Sequence, residues 1–118
     1  MRKEDFKVVE KVWGEEIVLV NCKEYCGKLL VIDKEAESSY HYHKNKQETF
    51  YAIEGYVTLI VEGKEYMLAP FTRPKTIEVG EKHRIKAITQ AVVLEVSMEH
   101  RDNDVVRLTK SKEGGNDV

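Results

Sequence analysis

Short runs of alternating or continuous apolar residues, broken every few positions by charge, glycine or proline, make up almost the whole chain. Residues 6–12 and 16–20 are two such runs, and Trp13-Gly14 between them predicts a turn joining two strands. The continuous stretch Leu29-Leu30-Val31-Ile32 predicts a buried strand at 28–33. Further strands are expected at 38–43, 48–54, 56–61, 65–68, 76–79, 83–88 and 91–97, with a short last one at 104–108. Glu62-Gly63-Lys64 reads as a tight hairpin turn, and Pro70 and Pro74 exclude a central strand between them. No segment of helix length carries a helical period. Many short strands at regular spacing predict an all-β barrel or sandwich.

Composition narrows this little. A chain of 118 residues fits one domain, expected over 1–112, with 113–118 as a flexible tail. The stretch 110–118, with Gly114-Gly115, is expected to fray. Charged residues are 34% of the chain, yet the net charge is only −2 and no basic stripe carries interleaved aromatics. Nucleic acid is therefore not an expected partner. No run approaches the ~20 apolar residues of a membrane span. The start, Met1-Arg2-Lys3-Glu4-Asp5, lacks the apolar core of a signal peptide, so a cytoplasmic location is expected. Cys22 and Cys26 lack the further soft ligands of a zinc site and read as reduced structural residues.

The chemistry concentrates in residues 41–55. His41 and His43 are two apart, so on a strand they aim the same way. Residues 44–47 form a polar run of hairpin-loop length, and Glu48 opens the return strand. A hairpin there brings the Glu48 carboxylate beside two imidazoles, an open site for a divalent first-row ion. Downstream, Gly80 precedes His83 at the start of another strand. Each residue alone is uninformative, but three of the four histidines fall in this pattern. The fourth, His100, lies in the polar run 98–104 and is expected to be exposed. Glu95 interrupts the apolar run 91–97. A carboxylate aimed into the interior there would be desolvated and more basic, which makes Glu95 the candidate general base.

His41-x-His43-x4-Glu48-x6-Gly55 and Gly80-x2-His83 resemble the two motifs of the cupin superfamily. The usual glycine six residues before the first histidine is Glu35 here, and Glu78-Val79 stand where a proline usually precedes the second motif's glycine. The resemblance implies a double-stranded β-helix (jelly-roll) barrel. It also implies one divalent transition metal (Mn, Fe, Co, Ni or Zn) held by His41, His43, Glu48 and His83.

The Trp13-Gly14 start, Lys46 two before the motif Glu, and the ending Asp102-Asn103-Asp104-Val105-Val106-Arg107-Leu108 are similar to the cupin domain of type II mannose-6-phosphate isomerases. The first ligand slot is often Gln there and is His41 here. Sugar isomerases acting on lyxose and mannose share these features. Together they imply a metal-dependent aldose–ketose isomerase of a sugar or sugar phosphate, with Lys44 and Lys46 best placed to bind substrate. Arg84 and Lys86 alternate with His83 and should turn away, while Arg101 and Arg107 could reach the site from the terminal segment. A non-catalytic sugar-binding or sensing cupin and a metal-dependent dioxygenase remain alternatives. A homodimer is expected, with the strands at 6–20 supplying an exchanged edge.

Overall fold

A computed structural model describes residues 3–114. Its strands are β1 (Lys7–Lys11), β2 (Gly14–Asn21), β3 (Cys26–Ile32), β4 (His41–His43), β5 (Glu48–Glu54), β6 (Val57–Val61), β7 (Lys64–Leu68), β8 (Lys75–Ile77), β9 (His83–Ala87), β10 (Ala91–Ser97) and β11 (Val105–Arg107). Single 3-10 turns occur at Lys3–Asp5 and Asp102–Asp104. The strands form one sheet in the order β1-β2-β3-β10-β5-β8 and another in the order β11-β4-β9-β6-β7. The chain is thus an all-β double sheet, as its strand pattern predicts. The expected barrel is not closed. β1, β8, β11 and β7 stay as edges, and the two sheets meet through side chains in place of a continuous hydrogen-bond ladder. Among the described residues no helix is long and apolar enough to cross a membrane.

The inward positions change character along each strand, and this divides the interior. On β3 they run Lys28, Leu30, Ile32; on β5, Glu48, Phe50, Ala52; on β9, His83, Ile85, Ala87; on β10, Ser97, Glu95, Val93, Ala91. Antiparallel register stacks like with like. Leu30 and Ala52 flank Val93, Ile32 faces Ala91, and Lys28 faces Glu95. One end of the interior is therefore an apolar plug, completed by Val57 and Leu59. Burial of each large aliphatic side chain there contributes roughly 1.5–3 kcal/mol. The other end collects the ionisable groups, and the plug holds its strands in register.

Gly14 and Glu35 both hold turns of positive φ. Gly14 opens β2 at φ 146°, where a β-carbon would run into the Val31 carbonyl of β3. Only glycine lets the Trp13 turn lie so close to the sheet. Glu35, at the family's usual glycine position, takes φ 65°. The left-handed turn is thus kept although the residue is wrong for it. Its backbone N–H donates to the Ala87 carbonyl at 2.8 Å, which holds the turn in place. A non-glycine residue in this region costs about 1–2 kcal/mol, partly offset by glycine's own entropy cost of about 0.5–1 kcal/mol. Glu35→Gly should therefore raise stability by up to about 1 kcal/mol, a melting shift of roughly 2–4 °C. An unchanged or lower thermal midpoint would show that the turn is not strained.

The structure departs from expectation at two other places. The strand expected at 38–43 is regular only over His41–His43. The segment before it is held by Ser38, whose N–H donates to the Ile85 carbonyl and whose hydroxyl accepts from the Ile85 N–H. The stretch expected to fray from residue 110 is tied down at Lys112, which exchanges two backbone hydrogen bonds with Glu37 and pairs with its carboxylate at 3.1 Å. Of the tail expected at 113–118, residues 115–118 lie outside the described residues.

Candidate metal centre

His41 and His43 leave β4 on one face because Tyr42 takes the other. β9 pairs with β4 at His41↔His83, which sets the third imidazole beside the first. Glu48 begins β5, in the opposite sheet, opposite Ser97 and Ile77. One potential ligand atom from each of the four lies within 4.8 Å of all the others. Glu48 Oε1 is 2.7 Å from His83 Nε2, and its Oε2 is 3.3 Å from His43 Nε2.

The surroundings orient these groups for a metal. His41 Nδ1 donates to the Ser39 carbonyl at 2.8 Å, and His83 Nδ1 to the Glu81 carbonyl at 2.9 Å. A carbonyl only accepts, so each ring carries a proton on Nδ1, which leaves its Nε2 facing the cluster. His43 Nδ1 lies 3.4 Å from Asp104 Oδ2, and both atoms are buried without a hydrogen-bond partner. The other Asp104 oxygen accepts from the Asn45 backbone at 2.7 Å, which aims the carboxylate at the ring. A small closure gives the carboxylate–histidine–metal arrangement of metal sites. Three imidazole Nε2 atoms and one carboxylate fit one divalent ion, and the four residues form a buried single-ion site.

Electrostatics agree. Burial, then the neighbouring His83, pushes the His41 pKa down to about 3, so this ring is neutral. Burial works to raise Glu48, but hydrogen bonds from His43 and His83 outweigh it and hold the carboxyl well below its usual range. Burial works to lower His83, but the Glu48 carboxylate outweighs it and raises the ring's pKa. A divalent ion held there would take the place of the proton in the His83–Glu48 hydrogen bond.

A second layer adjoins the cluster. The Lys46 ammonium, 3% exposed, stands 3.4 Å from Glu48 Oε2, 3.4 Å from Glu95 Oε2 and 3.1 Å from His100 Nδ1. Burial works to lower its pKa, but Glu95 and Glu48 outweigh that and raise it. Burial, then the negative charge of Glu48, raises Glu95. Lys28, facing Glu95 across β3 and β10, pairs with Glu16 at 2.8 Å. The metal ligands, Lys46 and Glu95 all open onto one cavity of about 320 Å³, walled on its apolar side by Trp13, Leu30 and Phe50.

Lys44, expected to bind substrate, lies away from this cavity, exposed on the loop after β4, and Arg101 does not line it either. Arg84 turns away from it and pairs with Glu37 at 3.8 Å, and Arg101 pairs with Glu99. His100, expected to be exposed, is half-buried and lines the cavity. Asn21 clamps its backbone on both sides, and its Nε2 lies 2.9 Å from Asp102 Oδ1. Sequence reasoning also missed Asp104 and the Glu16–Lys28 pair. The inward parity of Lys28 on its strand was the one signal available for these.

A double sheet with an oriented His3Glu cluster at its polar end defines a metal-binding cupin. Residues 28–97 match the family model described as "Cupin domain", and the chain belongs to that family. No curated protein matches it. Solved structures share the fold at low identity. KdgF from Halomonas sp. is 14% identical, with a TM-score of 0.76 over 86% of this chain and 94% of that one. PAC13 of Streptomyces, solved with uridine, is 12% identical, with a TM-score of 0.78 over 92% and 88%. The capsular polysaccharide assembling protein CapF of Staphylococcus aureus is 17% identical, with a TM-score of 0.78, but this chain spans only 34% of its length.

Proposed function

We propose that the protein is a metal-dependent aldose–ketose isomerase of a sugar or sugar phosphate, with Glu95 as its base. One observation carries the reading. Glu95 is a buried carboxyl of raised pKa that opens onto the cavity of the metal cluster. A group so perturbed beside a metal site is suited to taking a proton from carbon.

A divalent ion held by the four ligands would polarise the sugar carbonyl and hold the neighbouring hydroxyl oxygen. Glu95 takes the proton from the carbon next to that carbonyl and returns it to the former carbonyl carbon, while the proton of the neighbouring hydroxyl passes to the former carbonyl oxygen. Lys46, in reach of Glu95, donates a hydrogen bond to the oxygen that gains charge and keeps the base oriented. Trp13 and Phe50 keep bulk water from the reacting carbon.

The likeness of Trp13-Gly14, Lys46 and residues 102–108 to type II mannose-6-phosphate isomerases supports this chemistry. The described relatives support a carbohydrate ligand. CapF assembles a capsular polysaccharide, and Pac13, a nucleoside dehydratase, acts on a molecule that carries a sugar. The test is a screen of aldoses and their phosphates with Mn, Fe, Co, Ni or Zn restored in turn. Ketose and deuterium uptake from D2O at the exchanged carbons are read by NMR. Fully metallated protein that converts no aldose would sink the isomerase and leave a sugar-binding cupin. Oxygen uptake would point to a dioxygenase.

A further inference from the structure

We propose that Arg107, with Lys11 near it at the cavity mouth, forms a subsite for an acidic group, so that the molecule taken here is an anionic sugar bearing a phosphate or a carboxylate. Strand register sets the placement. Arg107 stands directly opposite His41 in the β11–β4 pair. Directly opposed residues of an antiparallel pair share a face, with β-carbons roughly 4.5–5.5 Å apart. The Arg107 side chain therefore leaves the sheet on the side of the metal ligands, and it lines their cavity. From a neighbouring strand its guanidinium reaches a group carried at the far end of a sugar whose near end lies at the cluster.

Lys11 comes to the same mouth from the other sheet. Val12 and Arg107 share a shallow depression with Leu108 and Ser111, so the turn after β1 lies against β11. Lys11, next to Val12, lines the main cavity. Among the described residues neither Arg107 nor Lys11 has an ion-pair partner, whereas the deeper cations do. Lys28 is held by Glu16, and Lys46 by Glu48 and Glu95.

Charge balance gives a second, independent argument. The cavity lining holds four carboxylates (Glu10, Glu16, Glu48, Glu95) and four cations (Lys11, Lys28, Lys46, Arg107). These cancel, and a divalent ion in the cluster leaves the cavity positive. A bound anion restores neutrality where the field is focused. A guanidinium offers the planar fork that phosphate and carboxylate oxygens accept.

The inference rests on the preceding reading only for the sugar that carries the acid. It is tested by calorimetric titration, which needs no turnover. The metal-loaded protein is titrated with mannose and glucose, their 6-phosphates and their uronates. Arg107→Ala, Arg107→Lys and, as a control outside the cavity, Lys44→Ala are titrated likewise. The acidic sugars should bind roughly ten- to a hundredfold tighter than the neutral ones, the range of charge-assisted hydrogen bonds. Arg107→Ala should remove most of that preference, Arg107→Lys should keep part of it, and Lys44→Ala should keep all of it. Tighter binding of phosphates or of uronates tells which acid is meant. Equal affinity for neutral and acidic sugars overturns the proposal. So does an unchanged preference in Arg107→Ala, or no binding of any acidic sugar at millimolar concentration. Loss of the preference without ketose formation from any sugar would leave the subsite standing and remove only the isomerase.

Discussion

His83→Ala will empty the metal centre. Wild-type protein, analysed by metal mass spectrometry, should carry close to one divalent transition metal per chain, and the variant almost none. The loss in affinity should exceed the 10–100-fold typical of removing an outer partner of a metal ligand, because His83 is a ligand itself. It supplies one of four donor atoms and also sits 2.7 Å from the Glu48 carboxylate. Glu48 keeps His43 and Lys46 in the variant, so the protein should still fold. Circular dichroism separates metal loss from unfolding. Acid should do reversibly what the substitution does permanently. His41, with its pKa near 3, stays neutral down to strongly acid pH. Competition enters through His83, whose pKa Glu48 raises. A group protonated below its folded-state value excludes the ion there, so affinity should fall about tenfold per pH unit once pH drops through that value. Stoichiometric metal in His83→Ala would mean that the four residues do not share one ion, and the reading of the centre would be wrong.

The ligands were legible in the sequence because strand geometry leaves them little freedom. His41 and His43 are two apart on a strand, Glu48 opens the next one, and His83 opens β9. Period and spacing therefore nearly fix which way each side chain points. Glu95 was legible for the same reason, as a polar residue at an inward position of β10. Residues on irregular backbone were not. Lys46, on the loop between β4 and β5, was named beside Lys44, but nothing in a polar run tells that it and not Lys44 is buried against two carboxylates. His100 is drawn inward by Asn21, 79 positions away in sequence, which no local pattern can report. Asp104 reaches His43 only because a 3-10 turn precedes β11. The sheet edges were also beyond the pattern. Alternation tells which face of a strand is buried and says nothing about which strands pair, so the pattern left barrel and sandwich open, and the barrel that the resemblance implied is two open sheets here.

Glu95→Gln should cut turnover by about 10²–10⁴, the usual contribution of a positioned acid–base group, while metal content stays at the wild-type level. Glutamine has nearly the same shape, and its amide oxygen can still accept from Lys46, which stands 3.4 Å from the present carboxylate. Stability should not fall at neutral pH. Burial and Glu48 raise the folded-state pKa of Glu95. A carboxyl raised on folding favours the folded state when protonated and opposes it once ionised, so its contribution is lost as pH rises through the folded value. Replacing it with a neutral isostere removes that cost. The melting temperature of Glu95→Gln at pH 7 should therefore equal or exceed that of the wild type, although its activity is far lower. The pH–rate profile gives an independent reading. A base works in its deprotonated form, so wild-type activity should fall on the acid side, through a pKa above that of an ordinary glutamate. That limb should be missing from whatever activity the variant retains. A variant that keeps more than about a tenth of wild-type turnover would remove Glu95 from the chemistry. A variant that loses metal and activity together would show that Glu95 acts by supporting the cluster. High stability, low activity, full metal occupancy and a missing acid limb together are the combination expected of a base in contact with substrate.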